Sequence, residues 1–370
     1  MTVSCAVYRG ARRAVLLSLA AALVLVAPAA PVTSQAPSGF AAQIASLSEP
    51  GGYFDTDNLI SNERSYLQVI PDLRKARLAN GAYIGVGPDT NFSYIAEVRP
   101  SIAFIIDVRR DNLLLHLLFK ALFEMSATRA EYLGLLLGRP PPRGNDGWRT
   151  ALVNDLVTHF ERAAPRPDGD PDVTRRLDAA LARMGVPLSS DDRVTIASFH
   201  QRFIEGGLGL RFNTLGRSPQ PNYPTYRELL LETDAAGRQS NYLASEGAFQ
   251  FVKSLHARDL IIPVVGDLSG PTAVSSIGRL LASRRKRLSA FYTSNVEFYL
   301  YRQGTFPEFI ANLRRIPRAE RSVVIRSIFG RPWMGRPGDS STSQLQPIGE
   351  LVTGFSDGQF RSYGQLIAER

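Results

Sequence analysis

The chain has almost no sulfur chemistry to offer. Among its 370 residues there is one cysteine, Cys5, and it lies ahead of the first apolar run. The remainder therefore has no thiol for a nucleophile, a disulfide or a zinc–thiolate site. Placed before that run, Cys5 is also not the lipid-bearing cysteine that would follow one, and a thiol-free remainder suits an oxidising compartment. Histidine is scarce too. His116, His159, His200 and His256 are scattered without metal-ligand spacing, and no Ser-His-Asp grouping is visible. Long charge blocks are missing as well. The longest is Arg284-Arg285-Lys286-Arg287, which reads as the basic end of a helix rather than a grip on nucleic acid. There is no internal repeat.

What is present is ordinary for a folded chain: 44% hydrophobic and 21% charged residues argue against chain-wide disorder. The net charge is +9; Arg9, Arg12 and Arg13 supply three of these, leaving +6 for the rest. That balance hints at an anionic envelope substrate and is too weak for a nucleic-acid footprint. Arg12-Arg13, an apolar stretch from Ala14 to about Val26 and the small residues Ala27-Pro28-Ala29 read as an export signal. A second cleavage point follows Ala36, so residues 1–36 are expected to be a signal peptide of a periplasmic or secreted protein. The alternative is an uncleaved membrane anchor, although the run is shorter than the ~20 residues a span needs. Residues 37–50, rich in Ala, Ser, Pro and Gly, read as a linker before a domain over 51–370.

The most informative stretch is Gly81 to Phe123. A short apolar strand, Ala82-Tyr83-Ile84-Gly85-Val86-Gly87, runs into glycines, and a helix follows over Phe92 to Val98. Ile102 to Ile106 is an unbroken apolar strand with Asp107 at its end, and Leu113 to Phe123 is a buried helix. This is a βαβ unit with a glycine turn. Its acid lies about 20 residues beyond the turn, where a carboxylate takes ribose hydroxyls. Residues 130–258, with Pro140-Pro141-Pro142 and several helical patterns, read as a helical and loop insertion over the sheet edge. The βα rhythm returns with Leu260 to Val265 before Gly266-Asp267, Leu288 to Tyr292 before Ser294-Asn295, and Ser322 to Ile328. Pro263 predicts an edge strand or a strand start. Gly349 to Phe355 and Tyr363 to Ile367 are candidate strands of a terminal antiparallel hairpin.

The run from Tyr83 to Asp107 resembles the cofactor half of class I S-adenosylmethionine-dependent methyltransferases. Asp57-Asn58-Leu59-Ile60-Ser61-Asn62-Glu63, Tyr83 to Pro88, Ile106 to Asn112, Pro263 to Asp267 and Ser294-Asn295-Val296-Glu297 resemble an uncharacterised bacterial methyltransferase-like family. The likeness implies a Rossmann-like, doubly wound, mostly parallel seven-stranded sheet. It also implies S-adenosylmethionine along Gly85 and Gly87, with ribose on Asp107 and adenine at Asp267. Asp89, Asn91, Arg109 and Glu63 join the expected cofactor-binding set, Asp89 either holding the amino group or crowding the amino-acid end of the cofactor. Asn295 and Glu297, after the fourth strand, are the catalytic candidates, Glu297 as a general base; the bland alternative is that they cap a helix. Tyr83 and Asp89 depart from the commoner pattern, which has an acid and a third glycine there. A different adenosyl or nucleotide ligand fits the same residues. A second reading is a non-catalytic, exported envelope module on the same fold.

Overall fold

The computed structural model describes residues 39–164, 171–217, 220, 222–330 and 339–368. The expected signal over 1–36 lies outside them, and no helix among the described residues is long and apolar enough to cross a membrane. One six-stranded sheet forms the centre, in the order β3-β2-β1-β4-β5-β6. Its strands are β1 (Ala82–Val86), β2 (Ile102–Asp107), β3 (Ile261–Val265), β4 (Leu288–Ser294), β5 (Arg318–Phe329) and β6 (Ser341–Pro347). The first five pair in parallel and β6 runs antiparallel to β5. The chain steps outward from β1 to β3, then returns beside β1 to make β4, so the winding reverses between β1 and β4.

The helices are α1 (Gly39–Leu47), α2 (Ile70–Ala76), α3 (Thr90–Val98) and α4 (Arg110–Met125), then α5 (Arg129–Leu136), α6 (Asn145–Thr150), α7 (Val153–Arg162), α8 (Pro171–Met184), α9 (Ser190–Gly206), α10 (Tyr226–Leu231) and α11 (Glu246–Ala257), and finally α12 (Ala273–Ser283), α13 (Val296–Gln303), α14 (Phe306–Arg315), α15 (Ile348–Ser356) and α16 (Tyr363–Leu366). One helical group, α3, α4 and α11, packs together with β1, β2 and β3; another, α1, α12, α14 and α15, packs together with β3 and β5. Local signals fit these elements. Arg99 takes a left-handed conformation (φ 49°) and ends α3 just before Pro100. Pro71 sits in the first turn of α2, where its missing N–H costs nothing. Pro263 lies in β3, at the sheet edge as its lost donor requires.

Four expectations are corrected. Within the expected linker, residues 39–47 are a packed helix: α1 buries Phe40, Ala41, Ile44 and Leu47, a helical spacing hidden in a bland composition, against β3 and α12. The sheet has six strands among the described residues, not seven. The tail is helical, because Ile348, Leu351 and Val352 recur at helical rather than alternating spacing and Ser362 with Gln365 forms a capping box. The antiparallel edge is β6, a polar segment that carries no strand pattern of its own. The insertion is helical as expected, but it rests on α3 and α4 instead of covering the sheet edge.

Phe92 is fully buried at the junction of α3, α4 and α11 and stands edge-on to the rings of His116, Phe119, Phe123, Tyr242 and His256. Phe92→Ala is expected to cost ~3–5 kcal/mol in urea unfolding. A loss below ~1 kcal/mol would mean that this junction does not hold the insertion to the sheet.

Candidate functional site

β1 to β4 are buried along almost their whole length, so polar side chains collect where they end. At the C-terminal ends of β1 to β5 lies a cavity of about 810 Å³, at the place where the winding reverses. Its walls come from the segment 52–63, the strand ends, parts of the loop between α9 and α10, and the start of α13.

Gly87, Asp107, Arg109 and Asp267 face this cavity. Gly87 has φ +81°, which a side chain would oppose, and its carbonyl accepts from His116 Nε2 at 2.8 Å. Burial pushes the His116 pKa down to about 4, so the ring is neutral and carries its proton on Nε2. Asp107 and Asp267 end neighbouring strands, and the Gly266 N–H donates to the Asp107 carbonyl at 2.8 Å. The Asp107 carboxylate accepts from Arg109 through the backbone N–H (2.9 Å), Nε (3.1 Å) and Nη2 (2.9 Å). Arg109 also donates to the Thr56 carbonyl at 2.6 Å, which ties β2 to the segment 52–63. Asp267 accepts from the Ser269 N–H and hydroxyl, both at 2.7 Å and both on Oδ1, and its backbone N–H donates to Glu49 at 2.8 Å. Arg110 points elsewhere and pairs with Asp192 at 2.8 Å.

Three members of the expected cofactor set serve the fold instead. A side chain at Gly85 would collide with Asn91 and Tyr83. Asn91 donates to the carbonyls of Val86 and Pro88, each at 2.8 Å, and accepts from the Tyr83 hydroxyl at 2.8 Å. Tyr83 thus occupies the expected acid position as a brace for the turn. Asp89, at the start of α3, accepts from Tyr226 (3.0 Å) and Tyr242 (3.1 Å) and fastens the insertion to the sheet domain. Tyr223 lines the cavity, whereas Tyr226 and Tyr242 do not. Glu297 does not line the cavity. It is 1% exposed and paired with Arg326 of β5 through contacts of 2.5 and 3.2 Å, and Gln346 accepts from the same guanidinium at 2.7 Å. Asn295 does line the cavity, beside Ser294.

Glu63 also lines the cavity, but at the β4–β5 side. Tyr292 donates to it at 2.6 Å, and the hydroxyls of Ser294 and Ser327 donate as well. Burial raises its pKa, and those three hydroxyls partly offset the rise. Ser294 has φ +53°, a left-handed conformation that costs a non-glycine residue about 1–3 kcal/mol and is commonest at functional sites. Sequence reasoning missed Ser327, Tyr292 and Glu49. Glu49 accepts from the N–H groups of Thr272 and Ala273 at 3.1 Å and so caps α12 from 220 residues away, which no local pattern could announce.

Burial raises the Asp89 pKa from 3.8 to about 6, against the pull of its two tyrosines. The native state therefore holds this proton between about pH 4 and 6 when the unfolded state has released it. Stability must fall as pH rises through that window, by on the order of 3 kcal/mol, and level off above it. Asp89→Asn is expected to flatten this part of the stability–pH curve in chemical denaturation. An unchanged slope would place the Asp89 pKa near its ordinary value.

No curated protein matches the chain. A family described as a domain of unknown function, DUF7790, matches residues 58–139 and 214–366. The matched parts hold every strand of the sheet and Glu63, Gly87, Asp107, Asp267 and Asn295, while the gap between them holds α6 to α9. With well over half of its length matched, the chain belongs to the DUF7790 family.

Proposed function

We propose that the cavity binds a non-phosphorylated adenosine-type nucleoside, with S-adenosylmethionine the first candidate, on a Rossmann-like fold of the methyltransferase type. The observation that carries this reading is the pair Asp107 and Asp267 on adjacent strand ends, opening with the Gly87 turn into one cavity. A carboxylate at the end of β2 suits a ribose diol, and the unpaired Oδ2 of Asp267 suits the exocyclic amine of adenine. The strand order β3-β2-β1-β4-β5 with an antiparallel neighbour supports the fold reading. Phosphate is disfavoured, because the Asp89 carboxylate stands at the start of α3 and would repel it, and the N–H groups of Asn91 and Phe92 already donate to the carbonyls of Pro88 and Asp89. That argues for a nucleoside over a dinucleotide.

A second reading, a binding module that has lost the reaction, is favoured by the Glu297–Arg326 pair, which leaves the expected base unable to reach a substrate. Export belongs to both readings. N-terminal sequencing of the native protein should find a start just after Ala29 or Ala36, and an intact Met1 overturns cleavage.

Calorimetric titration with S-adenosylmethionine and S-adenosylhomocysteine tests the proposal. Micromolar binding is expected, weakened ~1–3 kcal/mol by Asp107→Ala and by Asp267→Ala. Asp267→Ala is the cleaner variant, since Asp107→Ala strands the buried Arg109. A folded protein that binds neither ligand overturns the reading.

A further inference from the structure

The nucleoside reading leaves the β4–β5 corner of the cavity unused. β3 and β4 are three ladder steps apart, ~14 Å, so Glu63 does not share the Asp267 corner. A carboxylate has about four acceptor sites. On Glu63, Oε2 takes Tyr292 and Ser327 and Oε1 takes Ser294 alone, so one site on Oε1 stays open next to a residue that lines the cavity. No Lys, Arg or His among the described residues pairs with Glu63, whereas Asp107 and Glu297 each hold an arginine. The cations of the wall are engaged elsewhere: Arg217 pairs with Asp55 at 3.1 Å, and exposed Arg302 lies over Phe298 at 5.5 Å.

The same cavity carries an aromatic wall. Phe54 meets Tyr299 edge-on at 5.0 Å, and Phe298 meets Tyr299 at 5.3 Å. A buried carboxylate without a cation, in a cavity that also carries aromatic rings, matches an organic ammonium: the charge is met by the carboxylate and the carbon by the rings. Ser294, held in the left-handed region, keeps its hydroxyl on Glu63 and fixes the carboxylate in place.

We propose that this corner is a subsite for an organic amine in its ammonium form, with Glu63 as counter-ion and Tyr292, Ser294 and Ser327 as its supports. The subsite deepens the nucleoside reading, on which it rests for casting the amine as methyl acceptor. The chain's basic balance points the other way, toward an anionic substrate, and the two are separable by experiment.

The test is calorimetric titration of the protein, with and without saturating S-adenosylhomocysteine, using benzylammonium chloride, benzyl alcohol and sodium benzoate. Benzylammonium is expected to bind at least tenfold more tightly than either isostere. Glu63→Gln, close in shape and checked for folding by thermal unfolding, should remove that tenfold preference with a far smaller change for S-adenosylhomocysteine. Equal binding of benzylammonium and benzyl alcohol by the unaltered protein, or tighter binding of benzoate, overturns the subsite. So does an equal loss of both ligands in Glu63→Gln, which assigns Glu63 to the nucleoside. Glu63-dependent ammonium binding by a protein that ignores S-adenosylhomocysteine keeps the subsite and removes the methyl-acceptor role. Binding of S-adenosylhomocysteine without ammonium binding does the reverse.

Discussion

Parallel strands buried along most of their length leave polar side chains one place to go. Within β1 and β3 every residue is buried, and in β1, paired on both sides, the ladders consume the backbone donors and acceptors. A charged side chain inside that layer would cost several kcal/mol, so charge is pushed to the strand ends. Because β1, β2, β3, β4 and β5 all run the same way, those ends fall along one edge, and the reversal between β1 and β4 opens a gap there. The cavity is a consequence of this geometry before it is a consequence of any particular side chain.

Each carboxylate near that edge is stabilised by a different chemistry, and the difference sorts structure from candidate function. Glu297 is closed by Arg326 and Asp107 is steadied by Arg109, cations that also tie β5 to α13 and β2 to the segment 52–63. Asp89 is held by two tyrosines of the insertion and carries its proton up to about pH 6. Glu63 and Asp267 have only neutral donors and face the open cavity, so they are the carboxylates left with charge to offer a ligand.

The βαβ unit was readable because its signals are local. An apolar strand, a glycine turn, a helix and an acid about 20 residues on are fixed by covalent spacing. The same locality misled at Gly85, Asp89 and Asn91. They flank the turn as ligand residues do, yet Tyr83 and Asn91 fill the space over Gly85 and bond to each other, and Asp89 is held by Tyr226 and Tyr242, both well over 100 residues away. Composition misled at 37–50, where small residues hide the apolar stripe of α1. Period misled in the tail, where short apolar groups fit a strand as readily as a helix.

The sequence by itself determined the α/β alternation, the glycine turn at Gly87, the acids closing β2 and β3, and the edge position of Pro263. These depend on residue order and on intrinsic backbone limits. Only the tertiary structure decided which carboxylates are neutralised and which remain open. That choice depends on contacts such as Glu297 with Arg326, Glu49 with the start of α12, and Glu63 with β4 and β5. Pairing of buried charge is a property of three-dimensional neighbours, and a linear chain does not encode its neighbours in any local pattern.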